Sequence, residues 1–338
     1  MVQYLVRRLL WAFVLFLAVT VVTFVIFYVI PANPAQLVAG KSATQEDIDR
    51  AEKFLGTDKP VYVQYIRFLN RLSPFGRIET APGDYGGWGF KEPSLGTSFA
   101  TRQEVNDVVF RAAPVTASLV FGGAILWMLI SVPIGVFSAL RPRSLLDRAA
   151  MVFVLIGISA HPVWIGLILA YVFGYKLGWF PITGYCDMIN PGTDCGGPVD
   201  WAWHLMLPWT AFAILFAAQY VRMIRANTME TLNEDYVRTA RAKGAPEGQV
   251  LRSHVLRNSL LVIVTMLGMD IALALGGAIF TESVFGLPGL GKTALESINA
   301  FDLPITMGIV VFATLAIIVF NLIVDLVYAA IDPRIRLN

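Results

Sequence analysis

Long apolar runs alternate with short charged stretches along the chain, and six of the runs could cross a membrane: Leu9 to Ile30, Ala112 to Leu140, Ala149 to Tyr175, Trp201 to Val221, Asn258 to Thr281 and Leu303 to Ile331. A helix needs about 20 residues to span the hydrocarbon. Each run therefore predicts one transmembrane helix, and the fold class expected is an all-α integral membrane protein. The first run follows Arg7 and Arg8 as a signal peptide would, but no small-x-small cleavage site precedes Pro31 and Pro34, and five more runs follow. It reads as a retained helix. Pro114, Pro133, Pro162, Pro208 and Pro304 interrupt these segments, and prolines are tolerated where neighbouring helices satisfy the freed backbone groups. Kinked helices are the expectation.

The connection from Pro31 to Arg111 is long and charge-balanced, with ten basic and ten acidic residues. Helical periodicity predicts amphipathic pieces at Glu46 to Leu55 and around Tyr62 to Leu72, followed by an irregular stretch carrying Gly83, Gly86, Gly87 and Gly89. A small folded external cap is expected here rather than a catalytic domain. The division expected is a transmembrane helix over 1–30, the cap over 31–111, a five-helix core over 112–331 with a cytoplasmic connection at 222–257, and a tail over 332–338.

Composition supports the pattern. The chain is 56% hydrophobic and 15% charged, with a mean hydropathy of +0.64, against roughly 25% charge in soluble domains. An ordinary soluble enzyme is excluded. A net charge of +2 gives no nucleic-acid surface, and the basic residues follow topology instead. Arg7 and Arg8, then Arg141, Arg143 and Arg148, then seven between Arg222 and Arg257, then Arg334 and Arg336, make 14 of 26 and fall on one side of an even number of spans. Both termini are expected in the cytoplasm of a multi-pass plasma-membrane protein.

The two cysteines, Cys186 and Cys195, share the external connection from Lys176 to Asp200, with Pro191 and Gly192 between them. A structural disulfide is expected in an oxidising compartment; two free thiols in a reduced loop are the alternative. No Cys/His cluster suggests a metal.

The stretch from Arg222 to Arg257 is too long for a turn. Met229, Leu232, Tyr236 and Ala240 recur at helical spacing, Gly244 ends the pattern, and Gln249 to Leu256 resumes it after Pro246. A helix, a small-residue bend and a second short helix are predicted, a pattern that a generic amphipathic loop on the membrane would share. Within it, Asp235-Tyr-Val-Arg-Thr-Ala-Arg-Ala-Lys-Gly244 resembles the coupling loop of peptide-class ABC importer permeases. Leu5-Val-Arg-Arg-Leu-Leu10, Ile30-Pro-Ala-Asn-Pro34, Gly277-Ala-Ile-Phe-Thr-Glu-Ser-Val-Phe-Gly-Leu-Pro-Gly-Leu-Gly291, Asp302, Pro304 and Asp332-Pro-Arg-Ile-Arg336 extend the resemblance to nearly the whole chain. Together they look like the B-type inner-membrane permease of dipeptide and oligopeptide importers. The chain departs from the broader importer pattern in having Arg238, Thr239 and Ala240 before Gly244, without the initial acid, and Arg257 where many relatives have proline.

The resemblance implies a type I ABC importer permease fold in a bacterial or archaeal plasma membrane. It implies a second homologous permease beside this one, one or two kinds of cytoplasmic ABC ATPase subunit, and an extracytoplasmic peptide-binding protein. This chain would bind no cofactor and catalyse nothing, with ATP and Mg at the partner ATPases. Ala240 and Gly244 would allow close approach at the coupling contact, and Arg238, Arg241 and Lys243 would meet acidic or polar ATPase surface; ordinary cytoplasmic anchoring explains the basic residues equally well. Nickel complexes, haem or small glycans are alternative cargoes. An ion-coupled secondary transporter and a membrane enzyme are the readings from other classes.

Gly286-Leu-Pro-Gly-Leu-Gly-Lys-Thr293 fits the formula of a phosphate-binding loop. That formula needs a preceding strand, and Pro288 removes a donor. The stretch is read instead as an external turn or gate carried by Gly286, Pro288, Gly289 and Gly291. Asp270, and Asn321 with Asp325 one turn later, interrupt apolar spans and are candidates for the substrate path, with structural hydrogen bonding as the alternative. His161, next to Pro162, is expected to be a packed, hydrogen-bonded helix residue, because no nucleophile and acid accompany it.

Overall fold

The computed structural model describes residues 2–29, 35–36, 43–56, 58–81, 84–98, 100–187, 195–276 and 278–331. The expected positions at Ile30 to Pro34, Gly83, Pro191, Gly192, Gly277 and 332–338 lie outside them.

Among the described residues, four helices are long and apolar enough to cross a membrane, and bent pairs bring the number to as many as six. Helix α1, Val2–Phe24, winds on as a π-helix over Val25–Val29. Two amphipathic helices follow, α2, Gln45–Leu55, and α3, Val61–Leu72. Thr44 caps α2 in a reciprocal box with Asp47, and its hydroxyl and N–H hold the Asp47 carboxyl below the usual carboxylate range.

The glycine-bearing segment after α3 forms strands, with its irregularity confined to register shifts between Arg77 and Glu79 and between Glu79 and Ala81. It pairs as an antiparallel hairpin, β1, Phe75–Ala81, against β2, Asp84–Phe90. Asn70 on α3 receives the Arg77 N–H at 2.9 Å and donates to the Arg77 carbonyl at 2.9 Å, which fixes the strand's position. The glycines were misleading because they share the strands with aromatics. Phe75 meets Trp88 at a tilt and Phe90 edge-on along one face, and the small residues Gly76 and Gly89 leave room for Asn70 and Ile78 on the other.

The remaining helices are α4, Val105–Leu140; α5, Leu145–Ser159; α6, Pro162–Leu169, extended by π-winding over Ala170–Lys176; α7, Pro198–Leu232; α8, Asp235–Ala242; α9, Arg257–Leu275; α10, Ile279–Phe285; α11, Leu290–Asn299; and α12, Leu303–Ile331. Two expected spans are not single rods. Between α5 and α6 the axis turns by 110°, where Pro162 has no N–H to continue α5 and His161 caps α6 instead. The segment Ile263–Leu275 and α10 meet at 57°. His161 thus sits at a helix break rather than inside a helix. Its Nδ1 accepts from the Val163 N–H at 3.3 Å, and its ring meets Phe280 edge-on.

Two compact units can be distinguished. Among the described residues, one comprises the chain up to Pro114 together with Gly289–Val319, and the other comprises Val115–Pro288 with residues 320–331. In the first, Val105, Val109 and Ala112 pack with Leu290, Ile305 and Ile309. There the buried Ser98 hydroxyl donates to Asp302, next to a second buried pair, Ser297 and Thr306.

In the second unit α7 is central. Trp127 of α4 is fully buried and stacks on Phe216 at 4.6 Å between ring centroids, with Phe212 and Tyr220 each at 5.9 Å. Helix α5 lies against α7 so closely that a Cβ at Gly157 would fall 2.5 Å from that of Ala218. Cys186 and Cys195 are joined in a disulfide with a Cα–Cα distance of 5.2 Å.

Candidate functional site

The segment singled out by the sequence is a small folded element of its own. Helix α7 does not run on through Tyr236 and Ala240, as their spacing from Leu232 suggests. It stops at Asn233, whose amide donates to the Met229 carbonyl at 2.9 Å, and α8 starts afresh after Glu234. Beyond α8, one turn of α-helix at Glu247–Gln249 widens into π-winding over Val250–Leu256 and feeds α9.

The inner face of α8 closes a separate apolar cluster. Val237, Val250 and Val255 are fully buried, with Leu232, Ala240, Ala245 and Leu251 around them. Burying a valine is worth about 1.5–3 kcal/mol, so the cluster makes α8, the end of α7 and the start of the α9 limb one body. Gly244 has φ +80° and nothing within 4 Å of where a Cβ would stand. A left-handed residue at this place ends α8 and turns the chain, which favours glycine.

The outer face is polar and exposed. Arg241 makes a two-toothed pair with Glu247, at 2.9 and 3.1 Å, across the Gly244 bend. Arg238 lies 3.8 Å from Asp235, and Lys243 is exposed. Exposed pairs of this kind add about 0–1 kcal/mol, so they trim the shape of the element and its core holds it. Ala240 faces that core, and the space beside Gly244 is open.

The substrate-path candidates lie on two helices in contact, α9 and α12. Asp270 on α9 accepts a 2.6 Å hydrogen bond from the Tyr220 hydroxyl of α7. That bond satisfies a carboxyl that would otherwise be costly in the membrane. Asn321 is exposed and Asp325 half-buried on α12, which touches α9 where Gly268 meets Val324.

The phosphate-loop look-alike starts from a helix. Gly286 terminates α10 in the left-handed region, Leu287 is buried with its N–H on the Glu282 carbonyl, and Gly289 caps α11. Thr293 donates back to the Gly289 carbonyl, and Lys292 stands 3.8 Å from Glu296. With no strand before it, the stretch is a turn between two helices.

Sequence reasoning passed over three features. Asp147 at the start of α5 is 4% exposed and receives Arg225 of α7 at 2.7 and 3.0 Å, the Arg143 N–H at 2.8 Å and the Ser138 hydroxyl. Glu282 of α10 is fully buried and accepts from Thr116 of α4 at 2.7 Å. A cavity of about 400 Å³ opens where the α5–α6 and α9–α10 bends meet α7, with Gln219 in its lining. The only signal for the last was a polar residue inside the run Ala217-Ala218-Gln219-Tyr220-Val221.

Comparison with known proteins bears on the whole length. Residues 131–337 match the family described as binding-protein-dependent transport system inner membrane component, and residues 1–120 match its N-terminal companion. The chain is 34% identical to the dipeptide transport system permease protein DppB of Alkalihalophilus pseudofirmus, covering 99% of this chain and 100% of that one. It is 35% identical to the oligopeptide transport system permease protein AppB of Bacillus subtilis, over 99% and 100% respectively. A putative peptide permease protein of Brucella suis is 36% identical over the full length of both. Among solved structures, a chain of the MetNI methionine ABC transporter in inward-facing conformations aligns with a TM-score of 0.50 at 15% identity, covering 67% of this chain and 97% of that one, and so shares the fold. The chain belongs to the family of inner-membrane components of binding-protein-dependent transport systems, as a multi-pass membrane permease.

Proposed function

We propose that this chain is one of two permeases in an ATP-driven importer of peptides. It would form half of the path and pass the motion of cytoplasmic ATPases to its helices. The observation that carries the reading is the full-length similarity to dipeptide and oligopeptide permeases, joined to a self-contained element with an exposed polar face. In this reading ATP and Mg reside on partner ATPases, of one or two kinds, and a binding protein delivers cargo from outside. The bias of arginines and lysines supports a cytoplasmic position for the α8 element and both termini.

The chemistry is mechanical. An ATPase pair that closes on nucleotide pushes on α8. Because the Val237–Val250–Val255 core joins α8 to the end of α7 and to the start of the limb that becomes α9, the push reaches two helices together. Rigid-body movement of helices that carry bends then switches the path between its two openings. Gly244 lets a partner backbone approach, and Arg238 and Lys243 offer donors to acidic groups.

The test is affinity purification of the tagged chain from its native membrane in mild detergent, with the associated chains quantified. Recovery of a second permease and ATPase chains in stoichiometric amounts is expected. A transport-active preparation containing this chain alone would refute the proposal and favour secondary transport.

A further inference from the structure

Two helix breaks, at the α5–α6 and α9–α10 bends, open into the same cavity of about 400 Å³. Gly157, Ile158, Ala160 and Pro162 line it from the first bend, and Ala278 to Thr281 from the second. Phe212, Leu215, Phe216 and Gln219 of α7 close its floor. Interrupted backbone at membrane depth is tolerated only where protein covers it or where it lines a hydrated cavity. Gln219 points to the second case. It is exposed, and among the described residues its amide has no hydrogen-bond partner, although it lies between Ala218 and Tyr220 on a spanning helix. Six residues separate it from Arg225, about 9 Å along the helix. An amide left without a partner in hydrocarbon is costly, so water, cargo or a group of the partner permease has to satisfy it, and a cavity shared by two helix breaks favours the first two.

The lining also specifies the ligand. It contains no acidic or basic side chain, and its polar side chains are those of Gln219 and Thr281. A carboxamide offers one acceptor and two donors, which match the N–H and C=O of a peptide bond. The apolar walls fit side chains without selecting their charge.

We propose that this cavity is a subsite for the main chain of the cargo, in which the Gln219 amide pairs with a peptide bond while the walls formed by Phe212, Phe216 and Ile279 accept the flanking side chain. The inference rests on the peptide-importer reading and names the place in this chain where recognition is made.

The disulfide leaves the described chain with no free thiol, so Gln219→Cys introduces a single reactive site into this chain, and labelling is read on this chain after separation from its partner subunits. The complete importer, reconstituted in liposomes with its partner subunits, is treated with a membrane-impermeant charged thiosulfonate, with and without trialanine. Phe13→Cys on the apolar surface of α1, where the native residue is 61% exposed, is the control. The Gln219→Cys thiol is expected to react about tenfold or more faster than the control, since reaction requires a hydrated thiolate, and trialanine is expected to slow it severalfold. Gln219→Leu should raise the transport KM for trialanine about tenfold, the effect of leaving one polar group of the bound peptide unpaired. A reaction no faster than the control, a rate indifferent to trialanine, or an unchanged KM in Gln219→Leu would overturn the subsite while wild-type uptake of trialanine continues. If the wild-type complex itself takes up no peptide, the importer reading fails and the subsite falls with it.

Discussion

The Asp147–Arg225 pair allows a prediction with a built-in asymmetry. Asp147 is 4% exposed, and its carboxylate draws on four donors: two from Arg225, the Arg143 N–H and the Ser138 hydroxyl. The Arg225 side chain keeps 25% of its surface. Removing one partner of a buried ion pair costs about 3–5 kcal/mol when the remaining charge is stranded. In Arg225→Met the stranded charge is the carboxylate, with two donors left to it, so the lower end applies, about 3 kcal/mol. In Asp147→Asn the stranded charge is a guanidinium that can turn to water, and the loss is that of charge-assisted hydrogen bonds, about 1.5–2 kcal/mol.

The double exchange Asp147→Arg with Arg225→Asp should not restore stability, because the Arg143 N–H and the Ser138 hydroxyl are placed for an anion at position 147. The assay is the apparent melting temperature of the purified complex in detergent, followed by size exclusion of a fluorescent fusion after heating. At about 2–4 °C per kcal/mol, Arg225→Met should lose roughly 6–12 °C and Asp147→Asn about half of that. Equal losses in the two variants, or rescue by the charge exchange, would refute the reasoning.

Three further expectations follow from local geometry. Gly244→Val and Gly244→Asn both put a side chain where a partner backbone would approach and should both uncouple ATP hydrolysis from uptake while assembly persists, with the strain of a branched residue at φ +80°, about 1–2 kcal/mol, lowering the melting temperature in the valine variant alone. Coupling is read by the ratio of ATP consumed to cargo accumulated, and full coupling in Gly244→Asn would refute the close-approach role. Gly157→Val drives methyl groups into Ala218 and should lower stability by about 1–3 kcal/mol in the same heating assay, with the smaller loss in a Gly157→Val/Ala218→Gly double variant. Replacing Cys186 and Cys195 with serine opens a loop of sequence separation 9 and should cost about 2–3 kcal/mol, and wild-type protein treated with dithiothreitol should match the double variant.

The spans were readable because membrane burial leaves a long, one-dimensional trace. Val105–Leu140, Pro198–Leu232 and Leu303–Ile331 each contain a run visible in the sequence. The α8 element was readable in part: Ala240 and the bend at Gly244 follow helical spacing and turn chemistry, but the spacing picked out Tyr236, which is 42% exposed, and passed over Val237, which is fully buried, because α7 stops at Asn233 and α8 starts in a new phase. The bends were harder. Pro162 signalled a kink, but whether a proline kinks a helix or ends it depends on which neighbours replace the lost bonds, and His161 as the cap turned a kink into a 110° break. The hairpin was hidden because glycine weakens the strand pattern, and its room is needed only once Asn70 is in place.

Pairings across long separations leave no local trace. Asp147 and Arg225 are 78 positions apart, and Thr116 and Glu282 are 166 apart. Read singly, Arg225 was one cytoplasmic charge among many. Asp270 was singled out for its charge, and its bond to Tyr220 gives that charge a structural reason.

The most direct measurement is uptake of labelled trialanine into proteoliposomes holding this permease with its partner permease, ATPases and binding protein, with ATP supplied at the ATPase face and ion gradients collapsed by ionophores. The account predicts accumulation that requires ATP and the binding protein, persists without any ion gradient, and stops when the ATPases are omitted. Accumulation that survives without the ATPases and vanishes with the ionophore would contradict it.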